Sequence, residues 1–361
     1  MTVTAFDSVR PPEPPRDGRR RRRRRVGAPR TGPDWMVPAA EFTSYYGQNI
    51  VKPAPWEEAI AIYLWAGGMA AGSGLVGAGA DITHRHGLRR NARIAGLISL
   101  GVGGTALVVD LGRPERFLNM MRTAKLTSPM SVGSWILVGF SGFTGGAAAL
   151  EIVQPFLPRE SWWRELVDVA SIFASAGAAF FAPPLAAYTA VLFSDTATPL
   201  WHQAYREMPF LFVSSGQGAG CGLNMILGSS DEMRPVRQLA SVAAACDLAA
   251  DAAMERRLGE EGQPLHEGRA GRLRKAAKVL TAVGGVTAAL AGRNRALNVL
   301  AGASLVAGSA CTRFSIYYAG LESAKDPVYT VRPQRRRFAE KLAQGRSVTE
   351  PGGEWPEYSI R

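Results

Sequence analysis

Asp247, Asp251 and Glu255 stand at every fourth position of an alanine-rich stretch, so in a helix their carboxylates share one face. An ionisable side chain at membrane depth is expensive and marks a functional site by default. Two roles fit these three: a proton path, or a staple in which Asp247 or Asp251 pairs with Arg313 of a later apolar stretch. A second set of reactive groups is scattered through the first two thirds of the chain. It comprises Asp110 with Arg113, Tyr188 just after Pro183-Pro184, Asp195, and Trp201-His202. A phenol can hydrogen-bond an acceptor oxygen, and a carboxylate can relay a proton. A guanidinium can balance developing negative charge or hold Asp110 ionised. The plainer alternative for Asp110 is a loop-fixing ion pair with Arg113 or Arg116. Pro183-Pro184 interrupts a helical hydrogen-bond ladder one turn before Tyr188, which predicts a kink with freed carbonyls there.

These groups must be held by apolar elements. Eight stretches of about twenty apolar and small residues run approximately 58–80, 92–110, 132–153, 166–193, 209–228, 236–254, 274–291 and 296–318. Each has the length a helix needs to cross a hydrocarbon layer of ~30 Å, where the backbone must satisfy its own hydrogen bonds. The expected fold is therefore all-α, a polytopic membrane protein with eight transmembrane helices. Mean hydropathy is only −0.02 because polar tails dilute the core. Residues 1–56 form a basic, proline-rich tail that reads as disordered, with a short membrane-surface segment at its end; 57–319 form the membrane domain, and 320–361 a polar C-terminal tail. Gly67-Gly68, Gly72 and Gly74 fit close helix packing.

The charge of +12 does not point to nucleic acid, because the excess lies in tails and loops where anionic headgroups explain it. Arg19 to Arg25 precede no apolar segment of a cleavable signal. Cys221, Cys246 and Cys311 occupy three different stretches, with no metal-ligand spacing and no set of four for an iron–sulfur cluster. They read as small apolar fillers. None of His84, His86, His202 and His266 lies inside a stretch, which argues against haem. Phosphate-loop and nucleophile-elbow motifs are likewise missing.

Eight crossings put both tails on one side. Basic residues in the loops are nearly balanced, and the tails break the tie, so the positive-inside rule places both termini in the cytoplasm of an inner-membrane protein. Asp110, Asp195, His202 and the carboxylate trio all fall toward that side. The sequence thus predicts a polar cleft in one leaflet and none in the other.

Four strings carry a family resemblance. Ala61-Ile62-Tyr63-Leu64-Trp65-Ala66-Gly67-Gly68-Met69-Ala70-Ala71-Gly72 opens the membrane domain. Asp110-Leu111-Gly112-Arg113-Pro114-Glu115-Arg116-Phe117 and Leu126-Thr127-Ser128-Pro129-Met130-Ser131-Val132-Gly133-Ser134-Trp135 flank the second loop. Glu322-Ser323-Ala324-Lys325-Asp326-Pro327 ends the domain. Over about residues 35–335 the chain resembles the NrfD/PsrC family of membrane subunits, found in polysulfide-reductase-like, formate-dehydrogenase-like and nitrite-reductase-associated complexes. The resemblance implies two four-helix bundles and a menaquinone or ubiquinone site in the leaflet facing an iron–sulfur, ferredoxin-like subunit. A molybdopterin catalytic subunit would lie beyond it.

It also gives Tyr188 the quinone contact, whereas no histidine stands in the first stretch where one family member uses one. On this reading Asp110, Arg113, Asp195, Trp201 and His202 surround the quinone, with Trp201 and His202 at the mouth. Arg116, Arg122 and Lys125 would face the docked iron–sulfur partner. Two other classes remain open: a secondary transporter with a broken fourth helix, and a passive anchor without a quinone site.

Overall fold

A computed structural model describes residues 49–344, apart from 114, 123, 159 and 230. The tail expected over 1–56 lies almost wholly outside the described residues, as do Arg19–Arg25 and the chain beyond 344. The described residues form helices and no strand. The long ones are α1 (Glu58–Ile82), α2 (His86–Asp110), α4 (Pro129–Val153), α5 (Trp162–Ser194), α7 (Met208–Leu227), α8 (Arg234–Leu258), α9 (Gly268–Leu290) and α10 (Arg295–Lys325). Short helices α3 (Glu115–Met120) and α6 (Pro199–Gln203) lie in connections, and α11 (Val328–Ala343) follows α10. Local chemistry sets several boundaries. Asn294 caps α10 by accepting from the amides of Ala296 and Leu297 at 3.0 and 3.2 Å. Gly112, Gly259 and Gly292 take positive φ after α2, α8 and α9.

All eight expected stretches are helical. Six of them are long and apolar enough to cross a membrane: α1, α2, α4 with its continuation to Phe156, α5, α7 and α10. α8 and α9 are not, because each carries several charges within its length. α5 continues as helix through Pro183 and Pro184 to Ser194.

Each long helix packs on its chain neighbour. α1 also packs on α5, and α10 on α7, so α1, α2, α4 and α5 make one set of contacts and α7 to α10 another. The sets meet chiefly where α1 crosses α7. Only hydrogens fit there: a Cβ on Gly72 would lie 2.7 Å from the Gly216 carbonyl oxygen, and one on Gly216 2.9 Å from Gly68 Cα. α1 is accordingly the innermost span, 72% buried against 28% for α4 and α5. The outer helices turn apolar rings outward, with Phe180 73% and Phe173 71% exposed. In water such a surface would aggregate; against lipid tails it is the expected surface. The chain is a multi-pass membrane protein.

Short connections alternate the helix directions. The starts of α1, α4, α7 and α9 and the ends of α2, α5, α8 and α10 form one end of the molecule, here the near end. At this end Tyr317 donates to the Trp56 carbonyl at 2.7 Å and Tyr318 to the Glu58 carboxylate, fastening α10 to the start of α1.

Candidate functional site

Tyr188 lies on α5 two turns before its end, and its ring packs against Gly133 of α4, where a Cβ would overlap it. Its hydroxyl is 3.3 Å from that of Tyr63, a buried residue of α1. Next to Gly133, Ser134 lines a cavity of about 350 Å³ at the near end, walled also by Arg116, Met120, Lys125 and Met130. The loop around this cavity is self-supporting. Arg116 donates to the Leu111 carbonyl at 3.0 Å, and the Lys125 amide donates to the Ser131 hydroxyl at 3.0 Å. Arg113, Arg116, Arg122 and Lys125 are all exposed on this end.

Asp110, the last residue of α2, accepts from the Glu57 amide at 3.3 Å. Among the described residues no ion pair joins it to Arg113 or Arg116; the guanidinium of Arg116 is engaged by a backbone carbonyl instead. Asp195 is exposed at the C-terminal end of α5. His202 is exposed, with Nδ1 3.2 Å from the Ser194 carbonyl oxygen. Trp201 is not at a mouth. It is wholly buried, stacked on Phe193 at 4.2 Å, and its Nε1 donates to the Ile316 carbonyl at 2.8 Å. A side chain at Gly320 would overlap the indole. Trp201 therefore pins α6 between α5 and α10, and the polar sequence around it concealed a core residue.

The carboxylate trio also has different partners from those expected. Asp251 takes a two-pronged bond from Arg274 of α9, at 3.0 and 2.9 Å, and Lys278 lies 3.1 Å away. Glu255 accepts from Arg274 at 3.0 Å and Lys278 at 2.9 Å, with His266 at 3.2 Å. The staple runs from α8 to α9, not to Arg313 on α10. Asp247 sits one turn deeper, accepting from Thr281 at 3.2 Å through one oxygen, and it lines a cavity of about 20 Å³. Arg313 is fully buried, donates to the Phe212 carbonyl at 2.7 Å and lies 3.9 Å over the Phe212 ring.

A family model described as "Polysulphide reductase, NrfD" matches residues 48–241, more than half of the 361-residue chain. The chain belongs to the NrfD family. No curated protein matches it. The NrfD match runs from the approach to α1 into the first turns of α8. It includes Tyr63, Asp110, Arg113, Tyr188, Asp195, Trp201 and His202, and it ends before Asp247, Asp251, Glu255 and Arg313.

This NrfD chain holds one further charged cluster that the sequence reading missed, and it overturns the expected one-sided polarity. At the far end Arg93 of α2 reaches Asp81 at 3.1 Å, Glu151 at 2.6 Å, and the hydroxyls of Ser171 and Ser175 at 2.7 and 2.9 Å. Arg89 joins through Glu151 at 3.0 Å and Asp81 at 3.5 Å. The members come from four helices, α1, α2, α4 and α5, so no single stretch of sequence brings them together. The one local signal was the i, i+4 spacing of Arg89 and Arg93, and α2 begins at His86 rather than near 92. Tyr63 was missed as a site residue because its phenol partner lies 125 positions away. Of the cysteines, Cys221 is buried and Cys246 is exposed on the outer face of α8.

Proposed function

We propose that this chain is the membrane subunit of a quinone-linked oxidoreductase. It would exchange electrons between menaquinone or ubiquinone in the bilayer and an iron–sulfur, ferredoxin-like subunit, which in turn serves a molybdopterin catalytic subunit. Membership of the NrfD family and six apolar helices support a membrane subunit of a redox complex. The observation that carries the quinone reading is the Tyr63–Tyr188 hydroxyl pair, with the Tyr188 ring packed on Gly133, the residue before Ser134 in the wall of a near-end cavity.

A quinone offers two acceptor oxygens and, when reduced, takes up two electrons and two protons. Phenols are donors that suit those acceptors. Methionine walls at Met120 and Met130 suit an apolar ring. Tyr188 is the residue best placed to orient a head group, with Tyr63 fixing its hydroxyl from behind. Asp110 holds or passes a proton at its carboxylate, and Arg113 supplies positive charge at the same helix end. Asp195 and His202 offer further exchangeable protons at the end of α5. Trp201 keeps α5, α6 and α10 in register, without touching the ligand. Arg116, Arg122 and Lys125 form a basic surface suited to an acidic docking partner.

On this reading α1, α2, α4 and α5 form one four-helix bundle and α7 to α10 another, with α8 and α9 also crossing the bilayer. The pairing of Asp251 and Glu255 with Arg274 and Lys278 neutralises the charges that make those two helices atypical spans. The basic tails favour a cytoplasmic near end in an inner membrane. The test is a titration of the purified full chain with a short-tailed quinone analogue. Saturable binding weakened by Tyr188→Phe supports the reading. Absence of binding, or affinity indifferent to Tyr188, contradicts it.

A further inference from the structure

Cations crowd the first turns of α9: Arg269, Arg272, Arg274, Lys275 and Lys278. Asp251 and Glu255 engage Arg274 and Lys278, and Arg269 lies 3.7 Å from Glu58. Arg272 and Lys275 are exposed and, among the described residues, have no acidic partner. From them the outer face of α9 continues at steps of three and four through Val279, Val283, Val286 and Leu290. All four are exposed, Val279 60% and Leu290 75%. Val279 to Leu290 covers about 16 Å of helix.

α8 packs beside α9, and its outward positions are small: Ala245, Cys246, Ala249 and Ala253, ending at the exposed Arg256. Glu255 reaches both Arg274 and Lys278, which brings Arg256, the next residue, to the turn of α9 that holds Lys275. Small side chains on α8 beside valines on α9 leave room for an extended hydrocarbon chain. The cations stand together at the head of that apolar strip and lack a counter-charge from the protein. The missing partner is a molecule with an anionic head and an apolar tail.

We propose that the outer face of α8 and α9 selects an anionic phospholipid at the near end. Its phosphate accepts hydrogen bonds from Arg272 and Lys275, Arg256 adds positive charge, and one acyl chain lies along Val279, Val283 and Val286. Lipid fits better than an acidic protein segment, because the stripe that begins with cations runs on into side chains that a bilayer covers. A zwitterionic lipid offers the same chain without net charge, so the cations discriminate by charge. The bound lipid holds the two least apolar long helices against the membrane. The inference rests on the reading that α8 and α9 cross the bilayer and on nothing about the quinone.

The test is the full chain carrying Val283→Trp in bilayers of phosphatidylcholine, doped with either brominated phosphatidylglycerol or brominated phosphatidylcholine. Quenching of the added tryptophan is read by difference from the unsubstituted chain. Phosphatidylglycerol should be preferred by about fivefold or more, the factor for ~1 kcal/mol from one cation near the surface. Arg272→Gln combined with Lys275→Gln should remove the preference, and Arg90→Gln, an exposed cation at the far end, should leave it unchanged. Val279→Trp repeats the reading should Val283→Trp fail to insert. Equal quenching by the two lipids, or a preference that survives the double change, overturns the proposal alone. Quenching by neither lipid means that α9 meets no acyl chain, which overturns the proposal and counts against the crossing as well.

Discussion

The hydroxyls of Tyr63 and Tyr188 stand 3.3 Å apart, one on the innermost span and one on an outer helix. The contact brings a phenol from a lipid-facing helix onto the buried centre of the molecule. Removing either hydroxyl deletes one hydrogen bond without changing shape. Tyr188→Phe and Tyr63→Phe should each weaken quinone-analogue binding by roughly 2- to 10-fold, the worth of ~0.5–1.5 kcal/mol. Melting temperature should barely move. Equilibrium titration and thermal unfolding of the same preparations check both statements.

Gly133 gives this site a steric test. A methyl group there collides with the Tyr188 ring, so Gly133→Ala should displace the ring and reduce quinone binding more than Tyr188→Phe does. The expected loss of stability is about 1–3 kcal/mol. Titration beside urea or thermal unfolding separates the two effects.

Asp251 and Arg274 form a buried, two-pronged pair between helices that are otherwise poor spans. Arg274→Met removes the two-pronged partner of Asp251 and leaves it Lys278 alone, so it should cost about 3 kcal/mol, the low end for breaking a buried pair, whereas the double change Arg274→Met with Asp251→Leu should restore most of that. Unfolding of single and double variants in one detergent measures the coupling. Equal losses in both would mean that the pair does not hold α8 to α9.

Trp201 should behave as core. Trp201→Ala is expected to lower stability by about 3–5 kcal/mol. Gly320→Ala, which drives a methyl into the indole, should destabilise the protein as well. Tryptophan fluorescence quenching by an aqueous agent should spare Trp201, identified by difference from Trp201→Phe.

The eight helices were legible as runs of about twenty apolar and small residues, and all eight begin within about six residues of the expected start and end within about seven. What the sequence hid were partnerships between distant elements. Asp251 was matched with Arg313 since both lie deep in apolar stretches, while Arg274 stood at the presumed edge of its helix; α9 in fact begins at Gly268, placing Arg274 nearly two turns inside. The Arg93 cluster draws on four helices at once, and no window of sequence contains it. Trp201 was expected at the mouth of the quinone site because it stands in a short polar connection beside His202, whereas packing against Phe193 makes it core.

The central claim is that a quinone head group is received beside Tyr188 at the near end. A photoreactive quinone analogue, illuminated with the full chain in lipid nanodiscs and mapped by peptide mass spectrometry, tests it most directly. Labelling should concentrate on the segments around Ser131–Ser134 and Tyr188, and an excess of unlabelled quinone should suppress it. Labelling spread over the lipid-facing rings of α4 and α5, or undiminished by competitor, would contradict the account.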